Sequence, residues 1–172
     1  PQVFVSLQPR GDNILVSRAL GSRSPGNLDL RPSNGVAFST SIAVKGIEPP
    51  ELRVAFISCA TDLGPDAENP NGKMLPFMAT ITKRDGRPGW AVRIRRIPTP
   101  DLNTDVQNLV LSGDGDIVAY DVARPTVNGG ALRQVYRVRD RSTQPELITA
   151  YGLDNGFESF EPSLSFDGKV IS

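Results

Sequence analysis

One short hairpin pattern, met three times, constrains this chain more than any other feature of it. Its clearest copy is Phe157–Ser172, F-E-S-F-E-P-S-L-S-F-D-G-K-V-I-S. Leu164 and Phe166 alternate with serines, Asp167-Gly168 supplies a tight turn, and Val170-Ile171 begin a return strand. Val110–Tyr120, V-L-S-G-D-G-D-I-V-A-Y, repeats the pattern. So does S-I-A-V-K-G at Ser41–Gly46, followed after an insert by L-R-V-A-F at Leu52–Phe56. The turn glycines Gly46, Gly115 and Gly168 stand 69 and 53 residues apart, a difference that loops can absorb.

Each hairpin has a second half. Leu75–Ile81 and Trp90–Ile97 follow the first copy, and Arg133–Asp140 and Pro145–Ala150 follow the second. The chain also opens on such a half, Pro1–Leu7 then Asp12–Arg18. The repeating unit is therefore four antiparallel strands, A to D. A four-stranded unit repeated at about this length is the sequence form of a β-propeller blade. The expected fold is all-β, a single propeller segment over residues 1–172. Residues 1–35 would give strands C and D of a first blade, 36–104 a second blade, 105–157 a third, and 158–172 the start of a fourth. Alternation places Ile42, Val44, Val54, Phe56, Leu109, Leu111, Val118, Tyr120, Leu164 and Phe166 on the inner faces. Strands C and D, two full blades and one more hairpin make about three blades, while propellers close with about four or more. The expectation is a longer propeller, completion by another chain, or two copies closing head to tail.

P-S-L-S-F-D-G-K-V-I, V-A-F-I-S-C-A-T-D-L and Q-V-Y-R-V-R-D-R-S-T together resemble the TolB-like (PD40, WD40-like) propeller repeats of bacteria. The resemblance covers nearly the whole chain and is best at 41–66 and 106–172. It departs at Lys45, which replaces the turn Asp, at the insert Ile47–Leu52, and over Met74–Arg87. What it implies is a non-catalytic binding or scaffold propeller for protein partners, in the bacterial periplasm or outside the cell, as one subunit of a larger assembly. The alternative is the propeller domain of a hydrolase, gating a peptidase or acting on carbohydrate. Propellers host many unrelated activities, so the resemblance speaks more to fold than to function.

Composition narrows the chemistry. The 172 residues carry 19 acidic and 19 basic side chains, so no global field draws the protein to nucleic acid or to a membrane surface. Histidine is absent, which removes the commonest general base and transition-metal ligand. A single cysteine, Cys59, cannot form an internal disulfide and reads as a small core filler. No apolar run approaches the ~18 residues of a spanning helix. There is no G-x-S-x-G, P-loop or dinucleotide fingerprint, so no cofactor and no catalytic residue is assigned. Arg10-Gly11-Asp12, the integrin tripeptide, reads more simply as a hairpin turn.

Two stretches remain as candidate sites. Lys83, Arg84, Arg87, Arg93, Arg95 and Arg96, with Trp90 among them, form the one basic cluster. They are candidates for an anionic partner, set against the wet, charged outer strand that discourages edge pairing. Thr61–Gly72 is the most polar loop, and Asp62, Asp66 and Glu68 are its candidate calcium ligands. Its spacing fits no EF-hand, and Pro65 and Pro70 favour a rigid solvated turn. Arg139 and Asp140 are expected to pair between blades.

Overall fold

β-Branched and aromatic residues at alternate positions, broken by Gly, Pro and Asp, form strands wherever the pattern runs four residues or more. The computed structural model describes residues 2–7, 12–17, 35–46, 50–84, 89–125, 130–149 and 159–172. Their strands are β1 (Phe4–Leu7), β2 (Asp12–Leu15), β3 (Ala37–Lys45), β4 (Glu51–Ser58), β5 (Leu75–Lys83), β6 (Trp90–Arg96), β7 (Val106–Leu111), β8 (Ile117–Pro125), β9 (Ala131–Arg139) and β10 (Glu146–Leu147). Among the described residues the only helical element is one 3₁₀ turn, Pro65–Ala67, so the chain is all-β.

The strands make three antiparallel sheets. β1 pairs with β2, and two four-stranded meanders follow in the orders β3-β4-β5-β6 and β7-β8-β9-β10. None of the sheets closes on itself. The expected last strand over Pro145–Ala150 is reduced to Glu146–Leu147, extended by Ile148 N–H to Val135 O (3.0 Å) and Val135 N–H to Thr149 Oγ1 (3.1 Å). Beyond it, Leu164 and Ile171 pair as an isolated antiparallel bridge. The Arg10-Gly11 turn, the loop at Gly21–Asn34 and Arg87 lie outside the described residues.

The sheets stack through two apolar layers. In the first, Val3, Val5 and Val16 of the N-terminal hairpin meet Leu52, Val54, Phe56, Phe77, Ala79, Ile81 and Ile94 of the second sheet. In the second, Ala43, Ala55, Ile57 and Met78 on the other face of that sheet meet Leu109, Leu111, Val118, Tyr120, Tyr136 and Val138. Strand β4 is the central element, buried on both faces for seven of its eight residues. Its neighbour β7 packs over β3 and β4.

The same ring pair recurs at the same register in both meanders. Phe56 opposite Phe77 on β4 and β5 stack at 5.8 Å between centroids, and Tyr120 opposite Tyr136 on β8 and β9 at 6.0 Å. Tyr120 also donates to Pro98 O at 2.7 Å, tying the linker between sheets to the core. Burial pushes its phenol up from the ordinary range, so it stays a neutral donor. Tyr120→Phe should therefore lower stability by about 1 kcal/mol, the worth of one buried hydrogen bond, read from the urea midpoint at unchanged slope.

Not every inner-face residue is buried. Val54, Phe56, Leu109, Leu111, Val118 and Tyr120 are, but Ile42 and Val44 are 55% and 56% exposed, Phe166 is 75% exposed, and Leu164 is half-buried. Ile42 and Val44 do share a face with Val54. The N-terminal hairpin, however, packs on the buried residues of that face, Leu52 through Ile94, leaving β3 uncovered. Phe166 leaves the core because its ring lies on the backbone of Gly113, at the outer edge of the turn. Cys59 is half-buried rather than a core filler.

Candidate functional site: a charged cleft between turns

The A–B turns are built by one local device, used twice. Ser112 Oγ donates to Asp114 Oδ1 (2.6 Å) and accepts from Ile117 N–H (2.9 Å), while Asp114 Oδ1 also accepts from Asp116 N–H (3.0 Å). At the next copy, Ser165 Oγ donates to Asp167 Oδ1 (2.8 Å) and accepts from Val170 N–H (3.0 Å), and Asp167 Oδ1 accepts from Lys169 N–H (3.2 Å). Gly115 N–H and Gly168 N–H close the two turns onto Ser112 O and Ser165 O at 2.9 and 3.0 Å. Both glycines lie in the left-handed region, at φ 77° and 65°, which is why the motif ends in Asp-Gly. Each turn also settles on the preceding unit at the same place. A Cβ on Gly115 would come within 3.0 Å of Arg53 Cδ on β4, and one on Gly168 within 2.6 Å of Ile117 Cδ1 on β8. The exposed Asp167 carboxyl is held down to about 2 by its hydrogen bond from Ser165, then those from Lys169.

Ser112 is fully buried, and its hydroxyl meets one donor and one acceptor. Ser112→Ala should cost about 1–2 kcal/mol by leaving Ile117 N–H unpaired, whereas Ser165→Ala in the exposed copy should cost less than half of that. Paired denaturation curves check the order.

Between the turns lies a polar cleft of about 520 Å³ lined by Lys45, Asp114, Asp116, Ile117, Arg139, Asp140, Arg141 and Asp167. Its floor is an ion network that ties the second sheet to the third. Arg53, with a side chain only 8% exposed, reaches Glu51 (2.6 Å), Asp116 (3.2 Å), Asp140 (3.0 Å) and Gly115 O (2.9 Å). Lys45 pairs with Asp116, and Arg95 of β6 with Asp140 at 2.9 Å. Burial alone would push the Asp140 carboxyl up. Arg53, by charge and hydrogen bond, and then Arg95 and Lys45 overcome this and hold it below the ordinary carboxylate range. For Arg53, burial works against the charge, and the Glu51 hydrogen bond with the Asp140 and Glu51 charges outweighs it, so its guanidinium is held more firmly than usual. Burial prevails at Arg95, whose pKa is lowered. Asp140 is thus an inter-sheet ion-pair residue, whereas Arg139 sits at the exposed end of β9, on the rim.

The described members of the basic cluster have different surroundings. Arg95 is drawn into the inter-sheet network, and Trp90 and Val92 pack against the first apolar layer. Arg93 stays exposed but donates twice to Asp66 Oδ2, at 3.1 and 2.7 Å. Lys83 and Arg84 are exposed, and Arg96 is half-buried. The acidic loop is equally committed to the chain. Asp66 is occupied by Arg93, and Asn69 is buried in a two-way hydrogen bond with Lys73 backbone. Leu63 and Ala67 anchor the loop in the core, while Asp62 is half-buried and Glu68 exposed. Among the described residues no group of three or more His, Cys, Asp or Glu is gathered as a metal centre, and no helix is long and apolar enough to cross a membrane.

The cleft itself was missed by sequence reasoning. The signal is present in the recurring Ser-x-Asp-Gly turn, but a local pattern shows the turn and not the crevice that two such turns share. No family model, no curated protein and no solved structure matches the chain.

Proposed function

We propose that this chain is a run of TolB-like β-propeller blades, and that it acts as a non-catalytic scaffold binding protein partners in the bacterial envelope or outside the cell. One observation carries the reading. Two successive Ser-x-Asp-Gly turns have the same hydrogen bonds and rest on equivalent residues of the preceding unit, Arg53 and Ile117. Stacking of a repeated four-stranded meander in a constant direction is the construction principle of a propeller. Binding is favoured over hydrolysis by how the cleft carboxylates are engaged. Asp114 is fixed inside its turn, Asp116 holds Lys45 and Arg53, and Asp140 holds Arg53 and Arg95. A general acid or base needs a proton to move, and Asp140, held below the ordinary carboxylate range by Arg53 and Arg95, stays charged, while the contacts of Asp114 and Asp116 are taken up within the chain. The rim arginines Arg139 and Arg141 remain exposed to meet a partner's acidic groups.

The test couples two assays on the same preparations. Partners retained from an envelope extract are identified, purified and titrated against the wild type and the Arg139→Glu/Arg141→Glu variant. The reading expects saturable binding that the variant weakens at least about tenfold, roughly 1.4 kcal/mol. It also expects peptidase and glycosidase substrates to remain at background. Turnover abolished by Asp114→Asn or Asp116→Asn would overturn it in favour of a hydrolase, and so would saturable binding unaffected at the rim.

A further inference from the structure

Once the charges that hold one another are set aside, the cleft keeps both signs, on different limbs of one turn. Lys45, Asp116 and Asp140 are engaged among themselves or with Arg53 and Arg95, and Asp114 is engaged inside its turn. Three exposed lining charges are left, Arg139, Arg141 and Asp167. Asp140 N–H donates to Asp116 O at 2.7 Å, which sets the end of β9 and its two arginines against the outgoing limb of the Ser112–Ile117 turn. Asp114 N–H donates to Phe166 O at 3.0 Å, which sets the Asp167 hairpin against the incoming limb. Neither sign is fixed to a buried partner. Arg141 Nε lies 3.9 Å from Asp140 with its side chain 91% exposed. Asp167 meets Lys169 at 3.1 Å with both side chains in water, a pairing of little worth that another cation can replace. The cleft volume, about 520 Å³, falls within the range of ~300–1,000 Å³ that holds a small ligand or a short stretch of chain.

We infer that the cleft recognises a charge pair and not acidity alone: an extended partner segment that sets one carboxylate against Arg139 and Arg141 and, two residues away, one cationic side chain against Asp167. The inference rests on the binding reading proposed above. Side chains two residues apart on an extended chain leave the same side, roughly 7 Å from each other, so one short segment can present both charges to one cleft. The same arrangement selects against uniform charge. A second acidic group would meet Asp167, and a second basic group would meet the arginines, each with like charge.

The probes are acetyl-Gly-Glu-Ser-Lys-Gly-amide and its Lys-Ser-Glu counterpart, titrated into the full chain and followed by the amide shifts of Gly115 and Gly168. One of the two orders should saturate. Replacing its glutamate or its lysine by glutamine should weaken binding about three- to fivefold, the upper end of what a solvated ion pair is worth. Asp167→Asn keeps the Oδ1 atom that accepts from Ser165 and from Lys169 N–H, so the turn stays closed. This variant should weaken the parent peptide to the same extent and leave the lysine-to-glutamine peptide unchanged. Arg139→Gln/Arg141→Gln should behave likewise towards the glutamate-to-glutamine peptide. Arg141→Gly should also weaken binding yet melt no lower than the parent, since glycine accepts the left-handed φ of 62° without strain. No saturation with either order, or variants that weaken the matched and substituted peptides equally, would overturn the inference. If the peptides fail while Arg139→Glu/Arg141→Glu still releases the envelope partners, the charge pair falls alone; if those partners stay bound, the binding reading falls with it.

Discussion

Asp140→Ala should lower the stability of the protein by about 3 kcal/mol, because it strips a partner from two guanidinium groups at once. Arg53 is nearly enclosed and Arg95 largely so, and both turn to Asp140 from the neighbouring sheet. Arg53 keeps Glu51, Asp116 and Gly115 O, which limits the loss to the lower end of the range for a broken buried pair. The pair also predicts an acid dependence of definite sign. The folded Asp140 carboxyl titrates below its unfolded value of 3.8, so its stabilisation is complete above that value and disappears as pH falls through the folded one. Chemical denaturation from pH 6 downward, at roughly constant ionic strength, should show the wild type losing stability below about pH 4 and Asp140→Ala losing less of it. Equal acid slopes would mean that Asp140 is not held by the network. The place of Arg53 is taken by Ile117 one unit later, so an aliphatic side chain fits this position, and Arg53→Met should cost less than Asp140→Ala.

Ala55→Leu is the second large effect, at about 2 kcal/mol. Ala55 is fully buried on the central strand, facing the second apolar layer beside Ile57 and Met78. Added methylenes there meet β7, which passes directly over β3 and β4. Only a side chain as small as alanine admits so close an approach. By contrast, Arg93→Ala on the outermost strand should cost about 0.5 kcal/mol or less, since its ion pair with Asp66 is solvated. Urea midpoints of the two variants check the order. If they rank the other way round, the assignment of inside and outside in the second sheet is wrong.

Strand positions and turns were legible because alternation and Asp-Gly are local signals. The N-terminal hairpin shows it, with Val3 and Val5 inward and Phe4 outward as alternation requires. Coverage was not legible in the same way. Alternation put Ile42 and Val44 on the face of Val54, but whether a neighbour lies over that face depends on how far the preceding sheet extends. The partners of the basic cluster are not legible for a related reason. Proximity in sequence assembled Lys83–Arg96, while the structure brings Asp66 from 27 residues away onto Arg93, and Asp140 from 45 residues away onto Arg95. Arg93 and Arg95 thus take partners that only tertiary structure supplies. Asp140 is expected from sequence to join two units, but its partners Arg53 and Arg95 are not identifiable there, because they lie 87 and 45 residues away in sequence on another sheet.

The central claim is that consecutive hairpins stack on one another by the same contact, and nuclear Overhauser effects across the two junctions test it most directly. The turn of Gly115 lies against the Ala43 methyl and the Arg53 side chain, and that of Gly168 against the δ1 methyl of Ile117. In a protein labelled at Ala and Ile methyls, the account predicts cross-peaks from the Gly115 α protons to the Ala43 methyl and from the Gly168 α protons to the Ile117 δ1 methyl. Both should be present in the same sample. Absence of either cross-peak, with the resonances assigned and sharp, would contradict a repeated stacking unit.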